Sequence, residues 1–187
     1  MVIACVKTFA TAFAAIALVQ SSSAPLQQLE PVTDPDSYEI YAALLAPGWA
    51  IHSKELLLLQ QETVTFPPCP LSGSAPDAEW RVIEKNFVAE NARVRVLRPM
   101  LPVAIPYRLV PHAAILADDA QLELKYPRIL HRPVAMEYAA VSAVGFNETK
   151  TKAMVYVRFR DQGGIELMEL RDGKWISARL GGCAWIA

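Results

Sequence analysis

Histidine and cysteine are scarce in this chain, three of each in 187 residues, and neither is placed for metal or nucleophile chemistry. His52, His112 and His131 are scattered, and no third ligand stands at zinc spacing from two cysteines, so no metal site is expected. A G-x-S-x-G turn is missing as well. Ser142, His131 and Asp118 assemble into a trio on paper, but any chain of this length offers one. Asp118 and Asp119 read as neighbouring acids of a loop, and backbone adjacency does not create the facing carboxylates that acid/base catalysis needs. The glycines of GGIE and GGCAW lack the Lys or Ser/Thr of a phosphate loop and open no helix, so they read as strand turns, and no cofactor is expected. A basic excess is absent too. The net charge of −1 argues against nucleic acid, and the densest basic cluster, Arg93, Arg95 and Arg98, falls at a predicted helix end, where cations complement the helix dipole.

No apolar run reaches the roughly 20 residues that cross a bilayer as a helix. The longest near the N-terminus, Thr8 to Val19, follows a single Lys7 and is followed at once by the small polar residues Ser21 to Ala24. That is the layout of a secretory signal peptide. Cleavage after Ser23 is preferred, because cleavage after Ala24 would set Pro25 beside the scissile bond. Residues 1–23 are therefore expected to be a signal peptide and residues 24–187 a single domain, secreted or periplasmic, with no stable membrane anchor after cleavage. A lipoprotein would need a Cys just after the apolar run, whereas Cys5 precedes it. Loss of Lys7 takes the net charge to −2. About 160 mature residues suffice for a real core. Only Cys69 and Cys183 remain, and an oxidising compartment suggests one disulfide between them. It would tie FPPCP to GGCAW and contribute roughly 4–5 kcal/mol in the chain-entropy model.

Two helices are predicted. The first opens at Asp34 as N-cap with Pro35 in its first turn, presents Tyr38, Tyr41, Ala42 and Leu45 on one face, and stops at Pro47 and Gly48. The second opens near Asp77 and carries Trp80, Ile83, Phe87 and Val88 at helical spacing. Between them, Leu56 to Thr65 reads as a strand covered on both faces. From Pro99 to Pro111 the prolines exclude a regular helix and favour an extended path. HAAILADD reads as a short helix, and AQLELKYP as a weak helix or strand. Glu137–Phe146, Lys152–Arg160, Ile165–Arg171 and Lys174–Leu180 form a four-stranded meander, with Asp172-Gly173 as a type I′ corner. In its second strand Ala153, Val155, Val157 and Phe159 are expected inward, and Tyr156, Arg158 and Arg160 outward. The expected fold is α+β, an antiparallel sheet packed against two or three helices.

The tail VSAVGFNETKTKAMVYV, followed by GGIELMELRDGKWIS and Trp185, resembles a C-terminal pattern of uncharacterised bacterial exported proteins: V-G-F-N, A-x-V-Y-V, G-K-W and a final Trp. Upstream, DPDSYEIYAALL, ETVTF, KNFVAENAR and Tyr126-Pro127 follow in the same order. Many members of that family carry cysteines around the turn after A-x-V-Y-V, where this chain has Asp161 to Gly164. The resemblance implies export and fold and supplies no catalytic residues.

The resulting expectation is a non-catalytic domain that binds a small molecule, glycan or envelope protein through the convex sheet face or the Pro-rich segment, with Tyr156, Arg158 and Arg160 as candidate contacts. The alternatives are a small hydrolase using His52 or His131 with a carboxylate, and an inhibitor presenting NETKT or DQGG to a protease. Gly145 is expected to ease close packing or a bulge, and Asn147 to begin the NETKT turn.

Overall fold

The computed structural model describes residues 29–52, 56–65, 78–125, 138–159 and 162–186, with side chains described except at 47–52, 119, 122–125 and 179–186. The signal segment, Cys69, His131 and Arg160 lie outside the described residues, as do the side chains of His52 and Cys183. The Cys69–Cys183 disulfide therefore lies outside them too.

Asp34 caps helix α1 (Pro35–His52) by accepting the Asp36 N–H at 3.2 Å, and Pro35 takes the first turn, where no N–H is needed. The helix does not stop at Pro47 and Gly48. It runs on to His52, because a proline forfeits one hydrogen bond and an otherwise supported helix can absorb that loss. Tyr38, Ile40, Tyr41 and Leu45 are buried along it.

Seven strands, β1 (Leu57–Gln60), β2 (Tyr107–Val110), β3 (Tyr138–Val141), β4 (Gly145–Phe146), β5 (Lys152–Phe159), β6 (Gln162–Arg171) and β7 (Lys174–Ile186), form one sheet. Their order is β2-β1-β3-β5-β6-β7, with β4 paired to β5. The fold is α+β and ends in the antiparallel meander β5-β6-β7. The sheet as a whole is mixed, not antiparallel, because β1 runs parallel to both β2 and β3. Helices α2 (Ala78–Glu90) and α3 (His112–Lys125) lie in the β1–β2 and β2–β3 connections, which lets the chain return in the same direction. Leu57, Leu58 and Leu59 suit this place, since β1 is buried at every position, while Leu56 precedes it and is exposed. Pro106 and Pro111 bracket β2 rather than interrupt it, so the extended Pro-rich path supplies an edge strand with all its N–H groups.

The two faces of the sheet are covered differently. Leu57, Leu59, Ala139, Val141, Val155 and Val157 pack with the α1 tyrosines in the main core. On the opposite face Met154, Tyr156, Ile165 and Leu167 meet Trp80, Ile83 and Phe87 of α2, while Leu58 and Val110 meet Ile115 of α3. Strand β5 is thus buried on both sides, and Tyr156, expected outward, is 4% exposed. No bare convex face is left on the central strands. Val88 turns away from the core, and Asp118 and Asp119 belong to α3 rather than to a loop. Arg93, Arg95 and Arg98 follow α2 on an extended segment bonded to Glu30–Val32 and Gln61–Thr63. There Arg93 pairs with Glu30 and Arg95 with Glu90. The Asp172-Gly173 corner has φ of 49° and 71°, as a type I′ turn requires.

The expected strand Glu137–Phe146 is broken at Ser142–Val144, and side chains replace the lost ladder. The Ser142 hydroxyl accepts the Tyr156 N–H and donates to the Ala143 carbonyl, both at 2.8 Å. Asn91, just past α2, pairs with Ala143 through both amide atoms at 3.0 Å. Tyr41 donates to the Ser142 carbonyl at 2.9 Å, and burial holds its phenol far above the usual range, so it stays a donor. A Cβ on Gly145 would stand 2.4 Å from the backbone of Phe87, which is why α2 can lie directly on β4. Asn147 then closes the turn by accepting the N–H groups of Thr151 and Lys152.

Candidate functional site

Strands β2, β1 and β3 stand in the order 2-1-3, so the chain steps outward from β1 to β2 and then returns past β1 to β3. Sheets with this order open a crevice beyond the C-terminal ends of the strands. Here it is a cavity of about 620 Å³. Gln60, Tyr156 and Arg158 form its floor, Glu62 to Thr65 and Val94 one side, and His112, Ala113 and Leu116 of α3 the other.

Its polar groups are tied to one another in a defined way. Gln60 Nε2 donates to the Glu62 carbonyl at 2.8 Å, which leaves Gln60 Oε1 for His112 Nδ1 at 3.2 Å. That network assigns the ring proton to Nδ1 and leaves Nε2 as the second ring nitrogen. The Glu62 carboxylate accepts the first backbone N–H of α3, from His112, at 2.7 Å. An acid at a helix N-terminus is stabilising, so Glu62 is occupied with fixing α3. Arg158 projects from β5 over the Tyr138 ring, 5.5 Å from its centroid, and its Nη2 reaches the phenol oxygen at 3.4 Å. Among the described residues its partners are therefore neutral. Tyr156, beneath them, is buried against α2.

A second cavity of about 330 Å³ lies between the start of α1 and the end of α2, lined by Asp34, Ser37, Asn86, Glu90, Arg95 and Phe146. Its charges are satisfied by neighbours. Asp34 holds Lys150 at 2.9 Å, Glu90 holds Arg95, and Asn86 donates to the Phe146 carbonyl at 2.8 Å. Arg95 Nε is closed off from solvent with no hydrogen-bond partner among the described residues, and the Arg95 charge is met by Glu90.

Of the residues singled out from sequence, Tyr156 and Arg158 are brought together in the larger crevice, and the described histidine beside them is His112. His52 ends α1 with its side chain outside the described residues, and His131 and Arg160 lie outside them entirely. Ser142 is fully buried and its hydroxyl is used in both directions, so it is no nucleophile. Among the described residues no group of three or more His, Cys, Asp or Glu side chains is placed to hold a metal ion. NETKT is drawn in on itself by Asn147, and Lys150 is clamped onto Asp34 and Asp36 at the start of α1. Sequence reasoning missed Gln60, Glu62 and His112 as a group. The available signal was the Pro111-His112 helix start, but residues 60, 112 and 158 meet only once β1, β2 and β5 are aligned. No family model, curated protein or solved structure matches the chain.

Proposed function

We propose that the chain is an exported α+β domain, secreted or periplasmic, that binds a small molecule in the crevice between α3 and the β1–α2 connection and performs no chemistry on it. The observation that carries this is the crevice itself. A cavity of about 620 Å³ is of the size that takes a small organic ligand, and its Arg158, His112 and Gln60 converge on it from three separate elements. The signal-peptide layout of residues 1–23 and the resemblance of the tail to exported bacterial proteins support the compartment. A Cys69–Cys183 disulfide belongs to the same proposal. Non-reducing mass spectrometry of the exported protein should find no free thiol, and two free thiols would remove it. For the crevice, amide-proton shifts on adding a fragment collection should cluster at Gln60, His112, Tyr156 and Arg158. If no fragment moves that group, the binding function fails.

His112 favours a second reading, a hydrolase. A ring whose Nδ1 proton is held by Gln60 presents Nε2 as a base toward the crevice. That reading requires turnover on a panel of ester, peptide and glycoside substrates, lost in His112→Gln. A silent panel leaves binding alone.

A further inference from the structure

The crevice carries more than a volume, and the nature of its walls narrows what it takes. This step rests on the binding function proposed above.

The polar end is electropositive in its unspent groups. Arg158 presents five N–H donors, and among the described residues its hydrogen-bond partner is the neutral Tyr138 phenol at 3.4 Å. Tyr138 supports the guanidinium from one side through its ring but does not neutralise it. The side chain is half-buried on the sheet, so a charge partly withdrawn from water stands without an opposite charge among the described residues. A planar guanidinium in that state matches a carboxylate, two donors to two oxygens. The nearest acid in the lining, Glu62, is held by the backbone N–H of His112 and is positioned by α3. His112, with its Nδ1 proton committed to Gln60, has only an acceptor nitrogen left, so the donors for an anion come from Arg158.

The other end is aliphatic. Val64, Val94, Ala113 and Leu116 line it, and Leu116 is 54% exposed on α3. A large apolar side chain left that open at the mouth of a cavity is a surface a hydrocarbon can cover, at roughly 25 cal/mol per Å² removed from water.

We infer that the crevice takes a small amphipathic carboxylate, with its anionic group at Arg158 and its hydrocarbon body along Val64, Ala113 and Leu116. A cavity of about 620 Å³ is of the size that takes a short fatty or aryl-alkyl acid.

Three probes of one shape separate the parts of this inference: 4-phenylbutyrate, its neutral amide and the corresponding amine, each titrated against the purified protein by calorimetry and by amide-proton shifts. The acid should bind at least about tenfold more tightly than the amide, with the amine weakest. Arg158→Gln should bring the acid down to the level of the amide, Arg158→Lys should retain part of the difference, and Leu116→Ser should weaken acid and amide alike. Equal affinity for acid and amide in the unaltered protein overturns the carboxylate inference while leaving a binding crevice. If none of the three probes shifts Gln60, His112 or Arg158, both the inference and the binding function fall. The comparison of probes on the unaltered protein stands even if a variant fails to fold.

Discussion

The break at Ser142–Asn147 and the crevice beside α3 both place polar side chains within an apolar sheet, yet they use them in opposite ways. In the break, each named group is answered from inside the protein: Ser142 by Tyr156 and Ala143, Asn91 by Phe87 and Ala143, Asn147 by Thr151 and Lys152. In the crevice, Gln60 and Glu62 fix His112, and Arg158 rests on a neutral ring, so the Arg158 donors are held in place and left facing an opening. A closed network specifies a fold, because removing a member strands a buried partner. An open one is free to meet a ligand.

The comparison breaks most visibly at Gly145. Gly145→Ala forces a methyl into the Phe87 backbone and should destabilise by about 3 kcal/mol or more, read from urea unfolding. A milder loss would mean that α2 does not lie on β4 as described. Ser142→Ala strands the Tyr156 N–H and should remove roughly 1–3 kcal/mol, with hydrogen exchange at Tyr156 accelerated. Lys150→Ala opens the clasp between NETKT and α1, and because that lysine is largely exposed the effect should stay within about 1 kcal/mol and shrink in salt. Hydrogen bonds to Asp34 and Asp36 raise the Lys150 pKa above 10.5. Its contribution is therefore complete below that value and lost as pH rises through the higher folded one. A clasp already lost below pH 10.5 contradicts this.

Glu166 lies between the two regimes, half-buried with Ser177 donating to it at 2.6 Å. Burial pushes its pKa up from 4.5, and the Ser177 bond offsets only part of that. A raised carboxyl makes the ionised form a burden on the native state, fully present above the folded pKa and gone below 4.5. Glu166→Gln should thus be slightly more stable than the parent at neutral pH, with the gap closing as pH falls toward 4.5, as a pH series of unfolding curves would show.

Much of this architecture can be read from local pattern. Asp34-Pro35 announces α1, Asp172-Gly173 fixes the last hairpin through two positive φ angles, and Trp80, Ile83 and Phe87 mark the buried stripe of α2. Alternation misleads where a strand is covered twice. Tyr156 sits at an outward position by period, but α2 occupies that side of β5, and periodicity carries no information about a second covering layer. Direction is equally invisible: LLLL is compatible with either sense, and its parallel pairing follows from long crossovers that only the tertiary structure shows. The VGFN signature is legible as a signature and not as chemistry, since Gly145 and Asn147 serve packing and turn closure. The crevice was hidden for a different reason, because Gln60, His112 and Arg158 belong to segments that share no pattern and converge only through strand order.

The division between closing and opening networks is tested most directly by one pair of unfolding free energies, that of Arg158→Gln set beside that of Asn91→Ala. Asn91→Ala removes three hydrogen bonds and strands the Ala143 N–H, and it should lose about 3 kcal/mol. Arg158→Gln should lose no more than about 1 kcal/mol, the worth of a cation resting on a ring. An Arg158→Gln variant as unstable as Asn91→Ala would show that Arg158 holds the fold together, and the distinction between the two regions would fail.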